Sequence, residues 1–541
     1  MDNTKRMDLN AWLREQQVRS LRFGPKEPKL FDSRRKLPPQ AIPTGPILPQ
    51  PEMHAYVQGF RSVFRREDTM RNAEIYLLGL CSDLPHKNGE TMEAAISGAK
   101  QMDIFNFLVR SGWAPEALDR ARVLQWVSER GHGGQALHVI LDESSVLKQG
   151  KRSVGVTRQY LGCVGKVANG QVMVTLDGVW GDDDLPLTGQ LYLPKTWAED
   201  AARCAAAKVP APVRFRTKPE IGLELLRRVH TWGLAVAMVH ADAGYGDLKV
   251  AQELQSEGWA YCLGLRGNVT VYLPEEGLRP APPPQPYSGR GRPRKAPQPE
   301  RPLHTVDAIR QALDPGAWQR VAYRRGVDGA LIEREFVALR ACLATRDGCG
   351  SEAWLLLERP LDPDSDDLKQ YVLTAPATTP LVELARLAHV RPRIERSSYE
   401  NAKDAAGLAD YQGRSWPGFH RHLAMVWLAM TWLDRLRRPL PPDDAPQDPT
   451  ATGGASQRAA DAGTTSEPPD LQLAFDAGTL AVRGAPYGTP DHRSLPRQVW
   501  ESLQSVHRRF VDWCRAAVFH ELLLLNRCPI PWLLAPGGSV T

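Results

Sequence analysis

The sequence predicts a mixed α/β protein: a helical N-terminal segment, then a sheet built from short apolar runs with helices between them. Two changes of pattern predict this. Between about Glu52 and Arg130 apolar residues fall at helical spacing, as in Phe60, Val63 and Phe64, and again in Ile104, Phe105, Phe107 and Leu108. From Ala136 onward the pattern becomes short apolar runs bounded by polar and turn-forming residues, the signature of strands. Proline-rich stretches at Leu37 to Glu52, Pro274 to Pro302 and Pro439 to about Pro469 mark joints between parts.

The strand runs are His138 to Leu141, Tyr160 to Val164, Val172 to Leu176, Ala235 to Val239 and Ala260 to Leu265. A helix from Glu220 to His230 opens behind Thr217, a suitable N-cap, with Pro219 near its first turn. Three strands, a helix, a strand, a helix and a strand make a mixed sheet. The longest uncharged apolar run, Leu423 to Leu433, is flanked by Arg421, His422 and Asp434, and reads as a core helix. It is well short of the roughly 20 residues that span a bilayer. The organisation expected is a basic, proline-rich tail (1–52), a helical N-terminal domain (53–134), the first part of a catalytic core (135–265), an insertion carrying a Pro/Arg-rich arm (266–385), the second part of the core (386–438), a disordered linker (439–494) and a C-terminal helical segment (495–541). The linker is too poor in apolar residues to offset its ordering entropy.

At 541 residues the chain can hold several domains, and a net charge of +6 is only mildly basic, so charge alone does not name a nucleic-acid partner. Eight scattered cysteines, with no paired spacing, exclude a disulfide framework and a structural zinc site. Met1 to Glu15 contains no apolar stretch of the kind that directs secretion. The expected setting is cytoplasmic, with no membrane partner.

Chemistry is carried by acidic residues at strand ends. The first run ends in Asp142 and Glu143, and the fourth leads into His240, Ala241 and Asp242, followed by Ala-Gly-Tyr-Gly-Asp. Carboxylates there project into the crevice where α/β sheets hold ligands. Two of them close together repel unless a cation joins them, and oxygen donors of this kind suit Mg²⁺. Asp182 to Asp184 follows Gly181 and reads as a turn, and Asp247 as the cap of a helix over Leu248 to Leu254.

A third carboxylate is expected in Ile394 to Leu408, which contains Glu395, Glu400 and Lys403. That segment, together with Ala-Asp-Ala-Gly-Tyr-Gly-Asp at 241–247, Leu-Tyr-Leu-Pro-Lys-Thr-Trp at 191–197, Phe-Arg-Thr-Lys-Pro-Glu at 215–220 and Arg-Ser-Trp-Pro-Gly-Phe-His-Arg-His at 414–422, resembles the DDE-class bacterial insertion-sequence transposases. More narrowly it is similar to the insertion sequence 701-like branch, in which an insertion separates the second Asp from the Glu. The resemblance covers roughly Tyr56 to Leu433. It implies a ribonuclease-H-like core in which Asp142, Asp242 and Glu395 bind two divalent ions, Mg²⁺ or Mn²⁺. It further implies cleavage at transposon ends and strand transfer into target DNA, recognition of those ends by the helical N-terminal domain (53–134) and not by the basic tail, a homodimer in the active complex, and a nucleoid-associated protein. Lys403 corresponds to a family lysine held to touch phosphate, with a solvated helix-surface lysine as the plain alternative, and Arg414 with His420 to His422 could meet the DNA backbone, unless His422 caps the core helix that follows.

Two glutamates compete for the third position. At about 100° per residue, Glu395 and Glu400 stand roughly 140° apart on a helix, so only one can enter the site. Glu395 shares its face with Ser398, Tyr399, Ala402 and Ala406, the face suited to lie on a sheet, whereas Glu400 sits with Arg396, Ser397, Lys403 and Asp404. Glu395 is therefore the expected ligand.

Ser-Gly-Arg-Gly-Arg-Pro-Arg-Lys at 288–295 has a Gly-Arg-Pro core that resembles an AT-hook, which would place Arg290, Arg292, Arg294 and Lys295 on double-stranded DNA. The plain alternative is a solvated basic linker. Lys5 to Lys36 carries ten Lys and Arg and reads as an unstructured basic tail. Two other functions remain beside the transposase: an inactive DNA-binding derivative acting as a regulator, and a carboxylate-dependent hydrolase of another substrate.

Overall fold

A computed structural model describes residues 51–274, 303–325, 330–345, 348–394 and 401–437. The N-terminal part is helical, with helices at Pro51–Gln58, Arg61–Phe64, Glu67–Cys81, Gly89–Ala95, Gln101–Val109 and Pro115–Glu129. Their apolar faces do not close on one another alone. Met53, Tyr56, Phe60, Ile75, Leu77, Phe107 and Leu118 share one core with the long helix Trp416–Arg437, whose Trp427 and Leu428 are fully buried. The rings of Tyr56 and Trp432 lie 5.0 Å apart in that core.

The described strands are β1 (Leu137–Leu147), β2 (Thr157–Leu161), β3 (Lys166–Trp180), β4 (Asp183–Leu191), β5 (Val236–Ala241), β6 (Tyr261–Gly264), β7 (Thr270–Tyr272), β8 (His304–Thr305), β9 (Gln319–Arg325), β10 (Leu331–Thr345), β11 (Gly348–Arg359) and β12 (Lys369–Leu373). All twelve belong to one mixed sheet. β3 lies antiparallel between β1 and β4, and β5 and then β6 continue parallel on the other side of β1. β12, β11 and β10 extend the sheet beyond β6 as antiparallel neighbours, so strands from the expected insertion join the central sheet.

Several local expectations hold for reasons visible in the sequence. The helix Lys218–His230 is opened by a capping box between Thr217 and Glu220. The Asp247 carboxylate caps Leu248–Ser256 by accepting from the Val250 N–H, and Gly181 with Asp182 turns β3 into β4, while Asp183 and Asp184, expected in that turn, already pair with β3 as the first residues of β4. Other expectations need correction. The second run stops as a strand at Leu161, and 162–164 is a 3-10 turn closed by Gly165 in the left-handed region at φ 63°. β4 is not among the strands expected from apolar runs, because Pro186 and Gly189 interrupt its alternation. Pro186 is tolerated where the ladder with β3 shifts register, beside Asp177.

β1 is also longer than its apolar run. It continues through Asp142 to Leu147, because β3 keeps pairing with it as far as Gly170. Asp142 thus lies inside a strand, not at its end. The parallel ladder with β5 does end there, and that ending positions the site.

Candidate active site

The last pair of the β1–β5 ladder is Leu141 with Ala241, so the next residues along the two strands are Asp142 and Asp242. Neighbouring strands stand about 4.8 Å apart, which brings the two carboxylates out side by side where the parallel ladder stops. Asp142 is buried, and Arg391 Nη2 donates to its Oδ2 at 2.9 Å while the Glu143 N–H donates to Oδ1 at 2.7 Å. Burial pushes the Asp142 carboxyl up to about 6; Arg391 and the backbone N–H oppose the rise, and the charge of Asp242 adds to it.

Asp242 is half-buried and starts a tight turn, its Oδ1 accepting from the Gly244 N–H at 2.9 Å and its carbonyl from the Tyr245 N–H at 3.0 Å. Gly246 is required in that turn, since a Cβ there would lie 1.8 Å from the carbonyl oxygen of Gly264 on β6. The Ala-Gly-Tyr-Gly-Asp sequence therefore fits the turn against the next strand.

Alternation along β1 separates Asp142 from Glu143. Glu143 forms an ion pair with Lys218, at the start of the helix on one face, and Tyr245 Oη donates to Glu143 Oε1 at 3.4 Å. On the other face Ile140, two residues before Asp142, packs with Val179 and with Ile394. Arg391 and Ile394 thus belong to the same side of β1 as Asp142. Sequence reasoning misses both Arg391 and Lys218. An arginine four residues before Glu395 has no motif of its own, and its partner lies on a strand some 250 residues away.

Glu395 and Glu400 lie outside the described residues, as do Arg290, Arg292, Arg294 and Lys295. Among the described residues no three His, Cys, Asp or Glu side chains are grouped to hold a metal. Lys403 is half-buried in the short helix Asn401–Asp404, next to the buried Ala402. Arg414 is exposed, and its carbonyl accepts from the Val154 N–H at 3.1 Å.

The expectation that His420 to His422 meet DNA is corrected. His420 is buried between the Trp416 carbonyl, 2.9 Å from Nδ1, and the Leu191 N–H, which donates to Nε2 at 3.2 Å. Arg421 donates to the carbonyls of Leu108 and Trp113, both at 3.0 Å. His422 is fully buried, with Nδ1 2.7 Å from Tyr76 Oη and Nε2 3.2 Å from the Leu408 carbonyl, and burial pushes it down to about 3. All three hold the long helix in its core.

Residues 59–330, half of the chain and including both aspartates, match the family described as DDE superfamily endonuclease. The chain belongs to that family. Over 233 residues it is also 28% identical to a probable transposase for insertion sequence element IS701 of Microchaete diplosiphon, a match covering 41% of this chain. The chain spans 56% of the length of that relative. DDE superfamily endonucleases cleave DNA and use divalent metal ions as a class, and carboxylates such as those of Asp142 and Asp242 are oxygen donors of the kind such ions take.

Proposed function

We propose that this DDE endonuclease is an insertion-sequence transposase, cutting double-stranded DNA at transposon ends and joining the freed 3′ ends to target DNA as a homodimer. The observation that carries the proposal is the emergence of Asp142 and Asp242 from adjacent parallel strands, each one residue past their shared ladder. The arrangement β4–β3–β1–β5–β6, antiparallel on one side of β1 and parallel on the other, supports a ribonuclease-H-like core. Glu395 is proposed as the third carboxylate, because Ile394, immediately before it, is packed on the face of β1 that carries Asp142.

Two Mg²⁺ or Mn²⁺ ions held by these three carboxylates would supply the Lewis-acid charge for attack of water, and later of a 3′-hydroxyl, on a phosphodiester. The chain's own groups prepare the site. Arg391 keeps Asp142 charged against its burial, and Lys218 with Tyr245 holds Glu143 on the opposite face. Lys403 and Arg414 are proposed to contact phosphate, and Arg290, Arg292, Arg294 and Lys295 the minor groove. Minor-groove contacts of this kind raise affinity with little sequence choice.

The test is cleavage of duplexes carrying the element's own ends in Mn²⁺. Asp142→Asn, Asp242→Asn and Glu395→Gln should each abolish cutting and leave DNA binding nearly intact, with Glu400→Gln active. Full activity of either Asp variant, or cleavage in excess EDTA, overturns the proposal.

A further inference from the structure

We infer that the β2–β3 hairpin is a DNA-tracking arm that holds the duplex about eight base pairs from the reacting phosphate; this rests on the DNA-cutting reading above. Between Glu143 and Asp177 the chain carries Lys148, Lys151, Arg152, Arg158 and Lys166 and not one acidic residue. Lys148 is already engaged, since its Nζ donates to the Tyr411 carbonyl at 2.6 Å and the Ala409 carbonyl at 3.3 Å. The other four cations are exposed, and none forms an ion pair with any described residue. Some exposed arginines elsewhere are matched, as in Arg66 with Asp68 and Arg227 with Glu253 and Glu257.

The backbone bearing these cations is fixed. Asn169 Nδ2 donates to the carbonyls of Lys148 and Gly150, Gln171 Nε2 to that of Val154, and Trp197 Nε1 to that of Val156, all between 2.6 and 2.9 Å. Arg203 Nη2 holds the Lys151 carbonyl at 2.7 Å. Charges on a rigid frame lose little freedom on binding, so a polyanion gains more from them than from a mobile tail.

The outer face of the hairpin adds apolar reach. Tyr160 and Val167 are cross-strand partners, 63% and 56% exposed, with Arg158 two residues from Tyr160 on the same face. An aromatic and an aliphatic side chain beside unpaired cations suit the sugar edges and phosphates of a nucleic-acid groove. A protein partner that contributes acids would match the charge equally, and the experiment below separates it.

Position gives the spacing. Asp142 pairs with Thr175 on β3, and Val167 lies eight residues further along the same strand, past the end of the β1–β5 ladder. At about 3.4 Å per residue that is roughly 27 Å, which equals about eight base pairs of B-form duplex. DNA lying at the two aspartates and following the basic arm would be gripped there.

The experiment measures binding of a random-sequence duplex of about 30 base pairs by the full chain in EDTA, across a series of salt concentrations. Arg152→Ala, Arg158→Ala and Lys166→Ala combined should weaken binding and lower the magnitude of the salt slope by about 2 to 3, roughly 0.9 for each phosphate no longer neutralised. The charge-preserving set Arg152→Lys, Arg158→Lys and Lys166→Arg should restore the slope, which a folding defect would not allow. On a separate duplex carrying the element's own end, hydroxyl-radical protection should retract in the alanine variant about eight base pairs from the cleavage position. Wild-type binding with an unchanged slope in the alanine variant overturns the arm while leaving the endonuclease reading intact. A change of oligomeric state at unchanged slope overturns it too, assigning the hairpin to a second copy. Failure of the wild type to bind any duplex overturns both.

Discussion

Arg122 offers a test of how the helical part is bound to the sheet. Its guanidinium is buried, donating to the Pro186 carbonyl at 2.7 Å, the Leu187 carbonyl at 2.8 Å and Thr431 Oγ1 at 3.0 Å, with Asp119 Oδ1 3.7 Å away. One side chain thus joins Pro115–Glu129, β4 and Trp416–Arg437. Arg122→Met keeps the bulk but strands two carbonyls on β4 and leaves Asp119 with the Thr188 hydroxyl at 2.8 Å. Removing one partner of a buried ion pair costs about 3 to 5 kcal/mol. For a unit of about 350 described residues, unfolding with roughly 2.1 cal/mol/K of entropy per residue, that lowers the thermal midpoint by about 4 to 7 °C. The penalty should depend on pH with a definite sign. Burial pushes Asp119 up to about 6 and Arg122 opposes that rise, so this carboxyl contributes stability that is full below about 4 and lost as pH rises through about 6. Without Arg122 the folded value climbs further, so the variant should lose more at pH 7.5 than at pH 5. A second change, Asp119→Leu, should recover part of the loss by removing the orphaned charge. Differential scanning fluorimetry at the two pH values reads all of this. An Arg122→Met midpoint within 2 °C of wild type, or an equal loss at both pH values, would mean that Arg122 does not hold the helices to the sheet.

Metal binding should follow the Asp142 carboxyl: with its value up at about 6, Mn²⁺ affinity measured by calorimetry should fall steeply from pH 7 to pH 5, and a flat profile would remove Asp142 from the ligands. In the absence of metal the same raised carboxyl gives stability that is present below about 4 and lost through about 6, so added Mg²⁺ should raise the thermal midpoint more at pH 7.5 than at pH 5. Gly246→Ala should displace the Asp242 turn from β6, costing about 1 to 3 kcal/mol by overpacking and lowering cleavage at unchanged DNA affinity; wild-type cleavage and midpoint together would show that the turn absorbs the methyl.

Features that depend on a few neighbouring residues were legible in the amino-acid sequence. Thr217 with Glu220 and Asp247 with Val250 set two helix starts, because a cap needs only a side chain and an N–H two or three positions on. The apolar length of Leu423 to Leu433 sufficed to mark the core helix, and the 241–247 motif singled out Asp242. Tertiary structure decided what depends on distant partners. β1 runs beyond its apolar residues because β3 is there to pair with it, and β4 survives a proline because its ladder shifts at that point. The histidines at 420 and 422 look like surface chemistry in the sequence and become core hydrogen bonds once Leu191, Tyr76 and Leu408 close around them. Arg391 reaches Asp142 only because Ile394 is seated on β1, a pairing across 249 positions that no local pattern encodes. Local hydrogen bonds are written in adjacent residues, whereas the pairing of a charge with its counter-charge is fixed by where packing brings the backbone.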